Sequence, residues 1–113
     1  MSRRAYGLRT WLLQRVTAVY VAAFTLFLAA HFLFDPPASY LAWREWMARP
    51  AIGVAWAVFV VAVLVHVWVG VRDVFMDYVH SAGLRLAALS LLGLALLALG
   101  FWALSALLSV RLA

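Results

Sequence analysis

Residues 51–71 read AIGVAWAVFVVAVLVHVWVGV, a run without Asp, Glu, Lys or Arg that contains one ionisable group, His66. About 20 apolar residues suffice to cross a bilayer as a helix. An imidazole in hydrocarbon is costly unless something ligates or hydrogen-bonds it, so an intramembrane histidine marks a functional site. Asp77 and Tyr78 follow eleven and twelve residues later, just beyond the run. A polar ligand within the membrane and a carboxylate–phenol pair at its edge together suggest a buried cofactor with a polar pocket beside it.

Two further runs lack Asp, Glu, Lys and Arg, residues 16–34 and 86–110. The whole chain has 113 residues and is 69% hydrophobic, against about 45–50% in soluble domains. The expected fold is therefore an all-α membrane protein with three transmembrane helices. They form one domain over residues 1–113, with spans at about 15–34, 51–72 and 85–110. What is left over is too short for a soluble catalytic domain, and three helices make a thin bundle that calls for partners. The first run is too long for the apolar core of a signal peptide. Asp35-Pro36-Pro37 follows it rather than a small-residue cleavage site, so it is expected to remain as a mature helix. With no cysteine, disulfides, thiolate metal sites and iron–sulfur ligation by this chain are excluded.

The net charge is +5, and every basic residue other than histidine is an arginine. These arginines flank apolar spans instead of gathering on one soluble face, which favours a membrane over a nucleic acid. Arg3, Arg4, Arg9, Arg15, Arg72 and Arg85 fall on one side, and Arg44, Arg49 and Arg111 on the other. The positive-inside rule then puts the N-terminus in the cytoplasm and the C-terminus in the periplasm.

Residues 2–14 mix arginine with Tyr6, Trp11 and leucine, as an interfacial segment does. Asp35-Pro36-Pro37 should end the first helix. Residues 39–49 place Tyr40, Trp43 and Met47 at i, i+3 and i+7, the pattern of a short interfacial helix with Trp43 and Trp46 in the aromatic belt. Pro50 suits the first turn of the next helix. Ser81 and Gly83 mark a turn before the third span, where Gly93 and Gly100 lie on roughly one face and permit close packing.

Each polar residue has a structural and a functional reading. His66 is either a packing histidine or a metal or haem ligand. Gly70, four residues on, would leave room beside the imidazole for something flat. At about 1.5 Å per residue, His31 lies roughly 24 Å from Arg15 and His66 about 9 Å from Arg72. If both arginines mark the inner edge, the two histidines differ in depth by about 15 Å, too much to share one iron. His31 is then an interfacial histidine, and a second axial ligand must come from another chain. Arg15 either anchors to lipid phosphates or pairs with a haem propionate. Asp77 and Tyr78 are either solvated or the groups that bind a quinone carbonyl and relay protons. Arg72 and Asp73 pair with each other or with a partner. His80 either faces solvent or carries protons.

The string HVWVGVRDVFMDYV at residues 66–79, with QRVTA at residues 14–18, resembles the signature of the hydrophobic membrane anchor subunit of bacterial succinate dehydrogenase (respiratory complex II), the small cytochrome b-type subunit. The resemblance covers essentially the whole chain. It implies that His66 is an axial ligand of a haem b shared with a second cytochrome b-type anchor subunit, and that Arg15 lies near its propionates. It also implies that Tyr78 hydrogen-bonds a quinone with Asp77 beside it, and that an iron–sulfur subunit and a flavoprotein subunit dock on the cytoplasmic face of the bacterial inner membrane. His80-Ser81 departs from the Lys-Pro of some relatives. On this reading the chain is enzymatic only as a subunit, with no flavin site of its own. Two rivals remain: another quinone-linked membrane cytochrome, which would need a second deep histidine, and a small structural or accessory membrane protein without a cofactor.

Overall fold

The computed structural model describes residues 3–112, with side-chain surroundings from Gly7 onward. Arg3, Arg4 and Tyr6, which figured in the charge asymmetry and the interfacial segment, lie outside the described side chains. The described residues form four helices: α1 (Arg3–Phe34), α2 (Tyr40–Ala48), α3 (Pro50–Tyr78) and α4 (Ala82–Leu112). Three are long and apolar enough to cross a membrane, over Gly7–Phe34, Pro50–Tyr78 and Ala82–Leu112. The all-α, three-span architecture is as expected. The segment ahead of the first span is helical and continuous with it, because no proline interrupts residues 3–34.

Local chemistry sets the ends. Pro36 and Pro37 bring no N–H, so α1 stops with the Asp35 amide bonded to the His31 carbonyl at 2.8 Å. Ser39 caps α2 by accepting from the Ala42 amide at 3.1 Å. Pro50 sits in the first turn of α3. At the other end of α3, Arg85 reaches back from α4. Its Nε donates to the Val79 carbonyl at 3.1 Å and its Nη2 to the Met76 carbonyl at 3.2 Å. A cation there satisfies carbonyls that lack helical partners and complements the helix dipole. Arg85 is thus more than a topology charge: it fixes the turn of α3 that carries Asp77 and Tyr78.

The centre of the molecule is α3, with α1 packed antiparallel on one side and α4 on the other. Among the described residues α1 and α4 do not meet backbone to backbone. The α1–α3 seam is read from its contacts: Gln14 against Gly70, Thr17 against His66, and Phe24 against Phe59 and Trp56 with ring centroids 5.0 and 5.2 Å apart. Tyr20 adds a hydroxyl that donates to the Ala55 carbonyl at 2.7 Å. The α3–α4 seam relies on small residues. A Cβ on Gly100 would lie 2.8 Å from Leu64 Cδ1, and one on Gly93 3.8 Å from Trp68. The close packing expected of these two glycines is present, tightest at Gly100.

The short helix differs from its expected orientation. Trp46 and Met47 are buried, and Tyr40 is 71% exposed. Trp46 is enclosed because His31 stacks on it, with ring centroids 4.4 Å apart and planes 9° from parallel, while Phe32 meets its edge.

Few side chains are enclosed. Leu26, Phe101 and Trp102 are 70, 70 and 73% exposed, an apolar periphery that water would not tolerate on a monomer and that lipid or neighbouring chains cover. Phe24 is one that is enclosed, 6% exposed and at the hub of four aromatic contacts. Phe24→Ala should loosen the α1–α3 pair. Its cost should fall below the roughly 3–5 kcal/mol of a water-soluble core, because helices separated in lipid do not meet water. A lower midpoint in detergent-titrated unfolding checks this.

Candidate functional site

α1 and α3 share the candidate site, in the half of the bundle nearer Tyr78. His66 is half-buried and its Nδ1 lies 3.1 Å from the Thr17 hydroxyl oxygen. Thr17 is itself 8% exposed. Its hydroxyl donates back to the Leu13 carbonyl at 2.7 Å, with the Gln14 carbonyl at 3.2 Å, a bond that threonine can make within a helix. No other polar group among the described residues engages the imidazole. Thr17 was visible in the sequence only as part of the string at residues 14–18. It lies 49 positions from His66, and only helix pairing brings the two together.

The space beside Gly70 is not free for a flat ligand. A Cβ there would lie 3.2 Å from Gln14 Nε2, so the amide side chain of α1 occupies it. Close approach of the two helices is what the missing side chain permits. The Gln14 amide oxygen is buried and has no hydrogen-bond partner among the described residues.

An open cleft of about 450 Å³ runs between α1 and α3 toward the Tyr78 end. Thr10, Trp11, Gln14 and Arg15 line it from α1, and Val69, Arg72 and Asp73 from α3. Val69 is one helical turn from His66, so the cleft begins just past the imidazole. Arg15 is exposed, and its guanidinium lies 5.5 Å from the centre of the Trp11 ring, a cation–π distance. It forms no ion pair among the described residues. Arg72 pairs with Asp73 at 3.1 Å, the first of the two partners expected for it.

The two arginines are not level. Gln14 faces Gly70 and Thr17 faces His66, so Arg15 stands near Val69, about one turn deeper than Arg72. The histidines are therefore farther apart than the sequence spacing implied. His31 is fourteen residues beyond Thr17, about 21 Å along α1 at the helical rise. It is held in the aromatic cluster with Phe27, Phe32 and Trp46. It does not approach His66.

Asp77 and Tyr78 occupy the last turn of α3 and both are exposed, Tyr78 at 77%. Tyr78 makes no hydrogen bond among the described residues. Neither lines the cleft. At the helical rise, Tyr78 is about 18 Å along α3 from His66. The chain thus unites His66 and Thr17, places Arg15 one turn away, and leaves Asp77 and Tyr78 as a separate exposed pair. His80 is exposed beyond them.

Comparison with known proteins bears on what such a bundle belongs to. Residues 1–107 match the model of the family described as succinate dehydrogenase/fumarate reductase transmembrane subunit. The succinate dehydrogenase hydrophobic membrane anchor subunit of Coxiella burnetii is 31% identical over 102 residues, covering 90% of this chain and 87% of that protein. With three apolar spans, a matching family model over nearly its full length and that relative, the chain belongs to the family of succinate dehydrogenase/fumarate reductase transmembrane subunits.

Proposed function

We propose that this chain anchors succinate:quinone oxidoreductase in the bacterial inner membrane, contributes one axial ligand to a haem b, and forms part of the quinone-reduction site. The observation that carries the reading is the setting of His66. It lies within an apolar span, one ring nitrogen is committed to Thr17 across the helix interface, and no other polar group among the described residues meets the ring. That arrangement fits a haem-binding imidazole, whose second nitrogen bonds a protein group. One imidazole fills one axial position, and His31 is held elsewhere, so the second ligand belongs to a second cytochrome b-type anchor subunit. Arg15, one turn away beside the open cleft, is placed to neutralise the propionates. The haem, when bound, supplies a one-electron redox centre whose potential depends on its axial ligands and their hydrogen bonds.

The end of α3 does the quinone work. The Tyr78 hydroxyl, free of hydrogen bonds among the described residues, donates to a quinone carbonyl. Asp77 beside it orients the site and passes protons as quinone becomes quinol. Arg85 holds the carbonyls of this last turn, which keeps both side chains in place. The arginine asymmetry supports a cytoplasmic location for this end and a periplasmic C-terminus. The iron–sulfur and flavoprotein subunits dock on the same side. Succinate is oxidised on the flavoprotein, and electrons reach the quinone by a short path.

The assembled complex, purified through a tag on this chain, should show a low-spin b-type haem spectrum on reduction and should reduce quinone with succinate. A complex containing the flavoprotein but no haem would overturn the haem assignment. A chain that purifies with neither would be an accessory membrane protein.

A further inference from the structure

We propose that Thr17 is a positioning residue for His66, fixing the imidazole in the tautomer whose Nε2 carries the lone pair that a metal needs. The inference rests on the reading of His66 as a haem ligand and goes beyond it, because it assigns the nitrogen that binds and the group that dictates the choice.

The argument is a count of protons. A threonine hydroxyl has one hydrogen to donate. Thr17 Oγ1 is 2.7 Å from the Leu13 carbonyl oxygen, and a carbonyl can only accept. The hydroxyl hydrogen is therefore used there. What remains on Oγ1 is acceptor capacity, and His66 Nδ1 at 3.1 Å must bring the hydrogen for that contact. If Nδ1 lacked one, two lone pairs would face each other, or the hydroxyl would have to give up its shorter bond to Leu13. Water is no substitute at a residue 8% exposed. A ring with hydrogen on both nitrogens has no lone pair to give a metal, so the reading of His66 as a ligand excludes it. The neutral ring with hydrogen on Nδ1 is left, and its Nε2 is unprotonated.

The consequence for a bound metal is twofold. A second hydrogen bond fixes the plane of a ligating imidazole and raises its basicity. Here the acceptor is itself anchored to the α1 backbone, so the ring plane of an α3 residue is set by α1. The same helix carries Arg15, so α1 would orient both the axial ligand and the propionate partner.

The test uses the whole purified complex and compares Thr17→Val, which keeps the shape and removes the hydroxyl, with Thr17→Ser, which keeps the hydroxyl. The readouts are the rate of haem b transfer to excess apomyoglobin and the electron paramagnetic resonance g-values of the oxidised haem. The valine variant should release haem about tenfold faster or more, the usual scale for losing such a partner, with shifted g-values. The serine variant should match the native complex. Thr17→Ala gives the same readout should the valine variant assemble poorly. Native release rates and g-values in the hydroxyl-free variants, or equal defects in Thr17→Ser, would overturn the proposal. His66→Ala is the control that separates the two claims: if it too keeps a native haem spectrum, the ligand assignment itself has failed.

Discussion

His66→Ala should abolish the low-spin b-type haem signal of the assembled complex, leaving either no haem or haem lacking one axial ligand. The substitution is clean for a physical reason. Thr17 keeps its bond to the Leu13 carbonyl when the imidazole is gone, so no buried hydroxyl is orphaned. His66 is only half-buried, and the Phe24 cluster that joins α1 to α3 lies about two turns away and is untouched. The helix pair should therefore persist, and loss of haem should report ligation rather than collapse. Optical spectra of complexes matched for flavin content provide the measurement. An unchanged low-spin spectrum would reject His66 as a ligand.

Tyr78→Phe should lower quinone reduction by about tenfold, the effect of losing one hydrogen bond worth ~1.4 kcal/mol. Succinate oxidation with a soluble artificial acceptor should stay at the native level, since that route bypasses the quinone pocket. Tyr78 is 77% exposed and makes no intramolecular hydrogen bond among the described residues, so removing its hydroxyl costs the fold nothing in this chain. The ratio of the two activities is the quantity to measure. Equal loss of both would mean impaired assembly, and equal retention would remove the phenol from the quinone site.

How much of this was legible from the residues depends on which physical signal each feature leaves. Spans leave a strong one: charged side chains are excluded from hydrocarbon, so three charge-free runs and the prolines at 36, 37 and 50 foretold α1, α3 and α4. His66 stood out for the same reason, and its family motif pointed to the right class of protein. The faces of the helices left almost no signal. On α1 the seam toward α3 runs through Gln14, Thr17, Tyr20 and Phe24, but lipid is as apolar as a neighbouring helix. Hydropathy therefore does not separate the side that packs from the side that faces tails. That is why the stacking of Trp46 on His31 left no mark in the sequence, and why Gly70 was expected to open a space that Gln14 fills.

Sequence alone determined that the chain crosses a membrane three times as helices, because the solubility of charge in hydrocarbon is a property of composition and order. Tertiary structure decided which residues meet. The antiparallel register of α1 on α3 set Thr17 against His66 and sank Arg15 a turn below Arg72, and the return of α4 brought Arg85 onto the end of α3. Those pairings rest on close packing and on directional hydrogen bonds between positions far apart in the chain, where no local pattern records them.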